Sequence, residues 1–299
     1  MNLNCMSKFK SGFISIIGKP NVGKSTLMNQ LVGEKLSIIT SKAQTTRHRI
    51  MGIITGDDFQ VVYSDTPGII DDPAYKLQES MMQFVRISLE DADVVLLVIE
   101  YGEKNLDYIS EKLSQINVPV IIILNKIDLE QEQDKVLQKV EELKEQFNPK
   151  AILPLSALHG FNTKEVLPLI KTFLPEHPAY FPEGDLTDKP ERFFASEIIR
   201  EKIFVYYKQE IPYASEVVIM SFKEDKKIIR IIADILVERE SQKGIMIGRG
   251  GVALKSVGVA ARRDMEAFFD KQVYIELYVK VDKDWRKNDK KLQKFGYQS

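Results

Sequence analysis

The chain of 299 residues holds one cysteine, Cys5, so no disulfide can form within it and a reducing, cytoplasmic compartment is expected. No stretch approaches the ~20 apolar residues that a bilayer-spanning helix requires. Met1 to Lys10 is polar, and the apolar run after it is too short for the core of a secretory signal. Attachment to a membrane is therefore at most peripheral. Internal repeats and low-complexity tracts are absent. Neither sign of charge dominates: 42 Lys+Arg against 43 Asp+Glu leave a formal net charge of −1. That balance hides an asymmetry, because residues 190–299 carry 22 Lys+Arg against 17 Asp+Glu, and the excess of acid lies in the remainder. A basic C-terminal part beside an acidic N-terminal part points to a polyanionic partner for the former.

What is present reads as two domains. From Phe13 to about Leu174, short apolar strands (13–17, 48–55, 60–64, 94–100, 119–124, 151–155) alternate with helical patterns (26–32, 77–90, 105–116, 131–147, 163–173). Near-continuous apolar strands suit a mostly parallel sheet covered on both faces, hence an α/β layered domain. The second and third strands are close enough to form a hairpin, which makes one sheet edge antiparallel. Prolines and a glycine between 175 and 184 break every periodicity and read as a linker. The expected division is residues 1–174, a linker over 175–191, and a second domain over 192–299. In the latter, 192–207 and 252–269 look helical and 217–222, 227–237 and 273–281 look like strands. The basic end with its lone Trp285 reads as a helix or tail.

Gly18-Lys19-Pro20-Asn21-Val22-Gly23-Lys24-Ser25, followed by Thr26, gives G-x-x-x-x-G-K-S between a strand and a helix. That order is what phosphate cradling needs: glycines turn backbone N–H groups inward and the helix end favours negative charge. Lys24 reaches the β/γ oxygens and Ser25 supplies a hydroxyl to Mg²⁺. Asp65-Thr66-Pro67-Gly68 follows a strand, where Asp65 can hold the Mg²⁺ hydration shell and the Gly68 amide can touch the γ-phosphate. Loss of that phosphate would release the loop. Asn125-Lys126-Ile127-Asp128 ends another strand. A carboxylate only accepts, so Asp128 suits the paired N1–H and N2–H₂ donors of guanine, making GTP and GDP the ligands and not ATP. Asn125 would brace the phosphate loop and Lys126 cover the base. Ser156-Ala157-Leu158 can offer a backbone N–H to guanine O6. Residues 33–48 form a long polar segment in which Thr46, in preference to Thr45, completes the Mg²⁺ sphere.

Two absences bear on rate. Ile69 follows Gly68, and an apolar side chain cannot orient an attacking water, so slow intrinsic hydrolysis is expected. No arginine finger is evident, since Arg47 and Arg49 read as solvated surface residues.

The run GKPNVGKSTLMNQL, then KAQTTRHRI, DTPG, NKID and SAL, resembles the Era family of bacterial GTPases. The stretch YFPEGDLTDKPERFFASEIIREKIF and the later GIMIGRGG extend the resemblance over residues 10–297. It implies a Ras-like P-loop GTPase domain followed by an α+β, type II KH domain. Binding near the 3′ end of small-subunit ribosomal RNA, a part in small ribosomal subunit maturation, monomeric state and peripheral association with the cell membrane are implied as well. Asn21 matches a residue that in related GTPases helps hold K⁺ near the phosphates, and by resemblance K⁺ takes over the role of the finger. The segment 69–75 is acidic where many members are basic.

Gly248-Arg249-Gly250-Gly251 fits the GXXG loop that clamps a four-nucleotide stretch of RNA backbone. Arg249 adds charge, Ile245 and Ile247 (with Met246) offer an apolar groove, and Lys243 and Lys255 lie within reach of the same strand. Trp285 either extends the RNA contact by stacking or anchors the tail. A rival reading from another class is a membrane-peripheral signalling GTPase whose second domain binds protein.

Overall fold

The computed structural model describes residues 9–113 and 116–297. Cys5, most of the polar start, the last turn expected of the 105–116 helix (Ser114, Gln115) and the final two residues lie outside the described residues. The chain divides into two compact units: Met1–Ser37, Thr46–Asp72 and Met81–Asp188 form the first, and Ile38–Thr45, Pro73–Ser80 and Lys189–Ser299 the second.

In the first unit, β1 (Lys10–Ile17), β2 (Ile50–Gly56), β3 (Phe59–Asp65), β4 (Val94–Glu100), β5 (Val120–Asn125) and β6 (Ala151–Pro154) form one sheet in the order β2-β3-β1-β4-β5-β6. Only β2 runs antiparallel, paired with β3 through the Gly56–Phe59 turn, so the hairpin edge is as expected. Residues 94–99 of β4 and 121–125 of β5 are buried without interruption, which is why neither shows the two-residue alternation of a half-exposed strand. The helices are α1 (Lys24–Val32), α2 (Lys76–Glu90, of which residues 76–80 fall in the second unit), α3 (Asp107–Leu113), α4 (Gln133–Phe147) and α5 (Val166–Lys171). Along α2, Met81 and Val85 are buried at four-residue spacing, as expected of a helix lying on a sheet.

The segment read as a linker is strapped to this unit. Gln60, fully buried on β3, accepts from the Tyr180 and Phe181 amides at 2.7 and 2.9 Å through one amide oxygen. Its nitrogen donates to the Phe181 carbonyl at 2.9 Å. Further along, Ile53 N–H donates to Leu186 O at 2.9 Å and Met51 N–H to Asp188 Oδ1 at 3.0 Å.

The second unit contains α6 (Glu191–Tyr206), the one-turn α7 (Ile211–Ala214), β7 (Glu216–Glu224), β8 (Ile228–Val237), α8 (Glu240–Ile247), α9 (Val252–Phe269), β9 (Gln272–Val281) and α10 (Asp289–Lys294). Its sheet runs β7-β8-β9, with β7 and β8 antiparallel and β8 and β9 parallel across the α8–α9 crossover. One sheet face carries the core: Ile229, Ile231, Ala233 and Ile235 meet Val257, Ala261 and Met265 of α9 and Ile199 and Ile203 of α6. Trp285 settles the alternative left open for the tail. It is fully buried and its indole N–H donates to Ala214 O at 3.1 Å, so it anchors the chain end and offers no face for stacking. Tyr297 is buried too and donates to Glu216 Oε2 at 2.6 Å.

Candidate nucleotide site and nucleic-acid interface

The loop from Gly18 to Gly23 joins β1 to α1, and Ser25 and Thr26 lie in the first turn of that helix. Gly23 adopts φ 101°, and a Cβ there would come within 2.2 Å of Asn125 Nδ2, so only glycine fits. Asn21 also takes a left-handed φ of 65°. The Lys24 ammonium is folded into the loop and donates to Gly18 O at 3.1 Å and Lys19 O at 2.8 Å. Burial pushes its pKa down to about 8, against the opposing charges of Asp65 and Glu103.

Three oxygens from three segments converge beside Lys24. Ser25 Oγ lies 2.7 Å from Asp65 Oδ2 and 2.9 Å from Thr46 Oγ1. Burial raises the Asp65 pKa above the usual carboxylate range in spite of the Ser25 hydrogen bond and the Lys24 charge. Its second oxygen, Oδ1, is buried without a hydrogen-bond partner. A hard divalent cation answers both features, and the hydroxyl and carboxylate donors suit Mg²⁺. Thr45 points elsewhere: its hydroxyl donates to Lys42 O at 2.7 Å and meets Thr40 Oγ1 at 2.6 Å. Thr66 is buried with its hydroxyl on Ile16 O at 2.8 Å, a brace between β1 and the loop it opens. Pro67 is buried with it. Gly68 packs against Pro20, and the next amide, Ile69 N–H, donates to Gly18 O at 3.0 Å. Ile69 itself is buried in an apolar cluster with Ile17, Leu97 and Ile99.

At the other end of the site, one side-chain amide ties three motifs together. Asn125 Nδ2 donates to Val22 O at 2.8 Å, and Asn125 Oδ1 accepts from Ala157 N–H at 2.9 Å. Asp128 accepts from Ser156 Oγ at 2.5 Å, with its side chain part-exposed. Leu158 is exposed beside it. Lys126 has a left-handed φ of 63°, and its ammonium pairs with Glu100 at 2.7 Å. Lys19 is held in the same way, on the carbonyls of Lys104 and Asn105 at 2.8 and 3.0 Å and beside Glu103 at 3.3 Å. Glu100 and Glu103, which sequence reading did not single out, are thus the counter-charges of two site lysines. Their place at and just past the end of β4 was the available signal.

Arg47 and Arg49 are not the solvated residues expected. Both are buried, and Arg49 donates to Ser64 Oγ at 3.0 Å and pairs with Asp91 at 2.6 Å. Asp91 follows α2, forty-two positions away, and no local pattern joins the two residues.

In the second unit, Gly248–Gly251 links α8 to α9, with Gly248, Gly250 and Gly251 at φ 73°, 59° and 77°. Arg249 is exposed at its tip. Beyond Gly251 opens a groove of about 380 Å³ between α9 and β9, lined by Leu254, Lys255, Gly258, Arg262, Tyr274 and Leu277 among others. Lys243, Ile245 and Ile247 are not among its lining residues. Ile245 is exposed, Met246 is a core residue, and Ile247 packs against that core. The walls were legible only as four-residue spacing along α9 and alternation along β9, signals that core packing produces equally well.

The sequence matches the family description "50S ribosome-binding GTPase" over residues 13–126 and the KH domain over residues 210–286. It is 44% identical to GTPase Era of Staphylococcus epidermidis over 296 residues, covering 98% of each chain, with the same figures for the Staphylococcus haemolyticus protein. Among solved structures it is similar to Era in complex with MgGDPNP and nucleotides 1506–1542 of 16S ribosomal RNA, with TM-score 0.93 and 38% identity over 97% of this chain and 100% of that one. An Aquifex aeolicus Era variant bound to GDP and aluminium fluoride matches with the same values.

Proposed function

Because this chain belongs to the Era family of GTPases, we propose that its first unit binds and hydrolyses GTP with Mg²⁺ as a switch, while its KH unit binds the 3′-end region of small-subunit ribosomal RNA. The convergence of Ser25, Thr46 and Asp65, whose carboxylate keeps its other oxygen buried without a partner, carries the first half. Lys24 would take the β/γ-phosphate charge as its ammonium exchanges main-chain carbonyls for phosphate oxygens. Mg²⁺, when bound by Ser25 and Thr46 and through the hydration shell held by Asp65, supplies neutralisation of the phosphate oxygens. Asp128 would read the guanine edge, Asn125 keeps phosphate loop and base loop in fixed register, and the backbone of the turn at residues 156–158 would offer an N–H to O6. Ile69, buried and apolar, gives the attacking water no partner, so turnover of the isolated protein is slow. The Gly248–Gly251 loop holds RNA backbone, with Arg249 and Lys255 supplying charge, as the likeness to the RNA-bound Era structure supports. Small ribosomal subunit assembly is the process this activity serves.

One filter-binding series tests both halves: a 16S 3′-end fragment and fluorescent GDP, each against the unaltered chain and Arg249→Glu. RNA binding lost with GDP binding retained is the expected result. RNA affinity unchanged in Arg249→Glu overturns the RNA assignment. K⁺ coordinated with the help of Asn21 is proposed as the electrostatic substitute for a finger, and turnover higher in K⁺ than in matched Na⁺ buffer is expected. Equal rates remove that role. Among the described residues no helix is long and apolar enough to cross a membrane. Peripheral attachment to the inner membrane face rests on the family resemblance, and flotation with anionic vesicles tests it.

A further inference from the structure

The segment after β4 brings a carboxylate to a loop shaped for phosphate. The chain leaves β4 at Glu100 and turns back at once, with Gly102 and Asn105 at φ 85° and 57°. Glu103 N–H donates to Glu100 O at 2.9 Å, and Glu103 Oε2 accepts from Glu100 N–H at 3.0 Å. Both bonds fix the carboxylate at the carboxyl end of β4. That strand pairs in parallel with β1, whose own carboxyl end opens into the phosphate loop. The Glu103 side chain is 9% exposed, and its Oε1 is buried with no hydrogen-bond partner. A buried acid left short of a hydrogen bond is unfavourable and asks for a reason.

Two ammonium groups feel this charge. Lys19 Nζ lies 3.3 Å from Glu103 Oε1, donates to Lys104 O and Asn105 O, and sits 5.3 Å from the centre of the Tyr108 ring. Within that cage its charge is taken up by Glu103, although Lys19 belongs to the phosphate loop. Glu103 also acts on Lys24: with Asp65 it opposes the fall that burial imposes on the Lys24 pKa. The Tyr108 phenol is pushed up to about 12 by burial and by the charges of Glu103 and Asp71, so it stays neutral and balances neither group. The pair thus adds no net charge beside the loop, since Lys19 attracts anions and Glu103 cancels that attraction. Mg²⁺, when bound, answers Asp65 and leaves the balance between Lys19 and Glu103 as it is. A charge as little exposed as Glu103 is weakly screened by salt, so removing it should be felt at the phosphates.

We propose that Glu103 sets the affinity of the nucleotide site by cancelling the charge that Lys19 would otherwise bring to the phosphates, so that this pair fixes how long a nucleotide stays bound. This rests on the guanine-nucleotide reading of the first unit. The test follows release of fluorescent GDP from the full chain, with Mg²⁺ present and excess unlabelled GDP added. Glu103→Gln keeps an oxygen for the Glu100 amide and removes only the charge, so release should slow about tenfold. Lys19→Gln leaves Glu103 uncompensated and should speed release by a similar factor. In the double variant Lys19→Gln/Glu103→Gln the two effects cancel, and release should return to the parent rate and be slower than in Lys19→Gln alone. A pair that merely scaffolds the loop gives faster release in all three variants, and that outcome overturns the proposal. A parent-like rate in Glu103→Gln overturns it too. If Glu103→Gln does not fold, the double variant against Lys19→Gln decides, and a double variant at least as fast as Lys19→Gln overturns the proposal. Failure of the unaltered chain to bind GDP at all overturns the guanine-nucleotide reading with it.

Discussion

Burial drives the Lys24 ammonium down to about 8, and phosphate beside it favours the charged form, so nucleotide binding takes up a proton wherever the free protein has lost one. Affinity for GDP should be complete below that pH and fall as pH rises through it. In the nucleotide-free chain the same shift acts the other way: between about 8 and the ordinary lysine value of 10.5 the unfolded state holds more protons, so stability from this group rises with pH. The thermal shift produced by GDP should therefore shrink between about pH 7 and pH 9, and a constant shift would remove the role given to burial. Asp128 supports a second residue-scale expectation. Asp128→Asn should weaken GDP binding by roughly 1.5–3 kcal/mol, the worth of a charge-assisted hydrogen bond, and improve binding of xanthosine diphosphate, as competition against fluorescent GDP would show. Most of these residues were legible because each motif follows a strand end. Geometry separates Thr45 from Thr46, since the Thr46 hydroxyl faces Ser25 and the Thr45 hydroxyl its own turn. Arg49 was misread because its partner, Asp91, is brought near only by folding.

Among the elements, apolar runs and turn residues announced the strands and most helices within a residue or three. The fate of the proline-bearing segment was not announced. Proline and glycine mark the loss of periodicity, yet they carry no record of where an extended chain lies down, and Gln60 on β3 supplies the missing partner. Removing that amide strands two backbone N–H groups, each costing about 1–3 kcal/mol if left unpaired. Gln60→Leu should therefore open residues 178–186 to a nonspecific protease while the nucleotide site keeps its GDP affinity. Unaltered protease resistance would mean that the other strap contacts suffice. Helix α8 and the groove walls were hidden for a different reason: Met246 faces the core and Ile245 the solvent, so the apolar triplet before the loop has no single face to read.

At the scale of the whole molecule, the charge asymmetry of the sequence gives a salt test that separates the two ligands. RNA affinity should fall steeply with salt as counterions return, and Arg249→Gln should flatten the log–log slope by about one unit. A slope that Arg249→Gln leaves unaltered would place the phosphate contacts elsewhere. GDP affinity, held within a buried loop, should change far less over the same range. The nucleotide site has a property of its own at this scale. Because the Asn125 amide joins Val22 to Ala157, segments more than a hundred residues apart in sequence meet through one side chain. The two ends of a nucleotide then bind to a single preassembled frame, and neither guanosine nor pyrophosphate alone samples a site of its own. Fragment affinities should fail to add: each half loses its own translational and rotational freedom on binding, and the intact nucleotide loses it once.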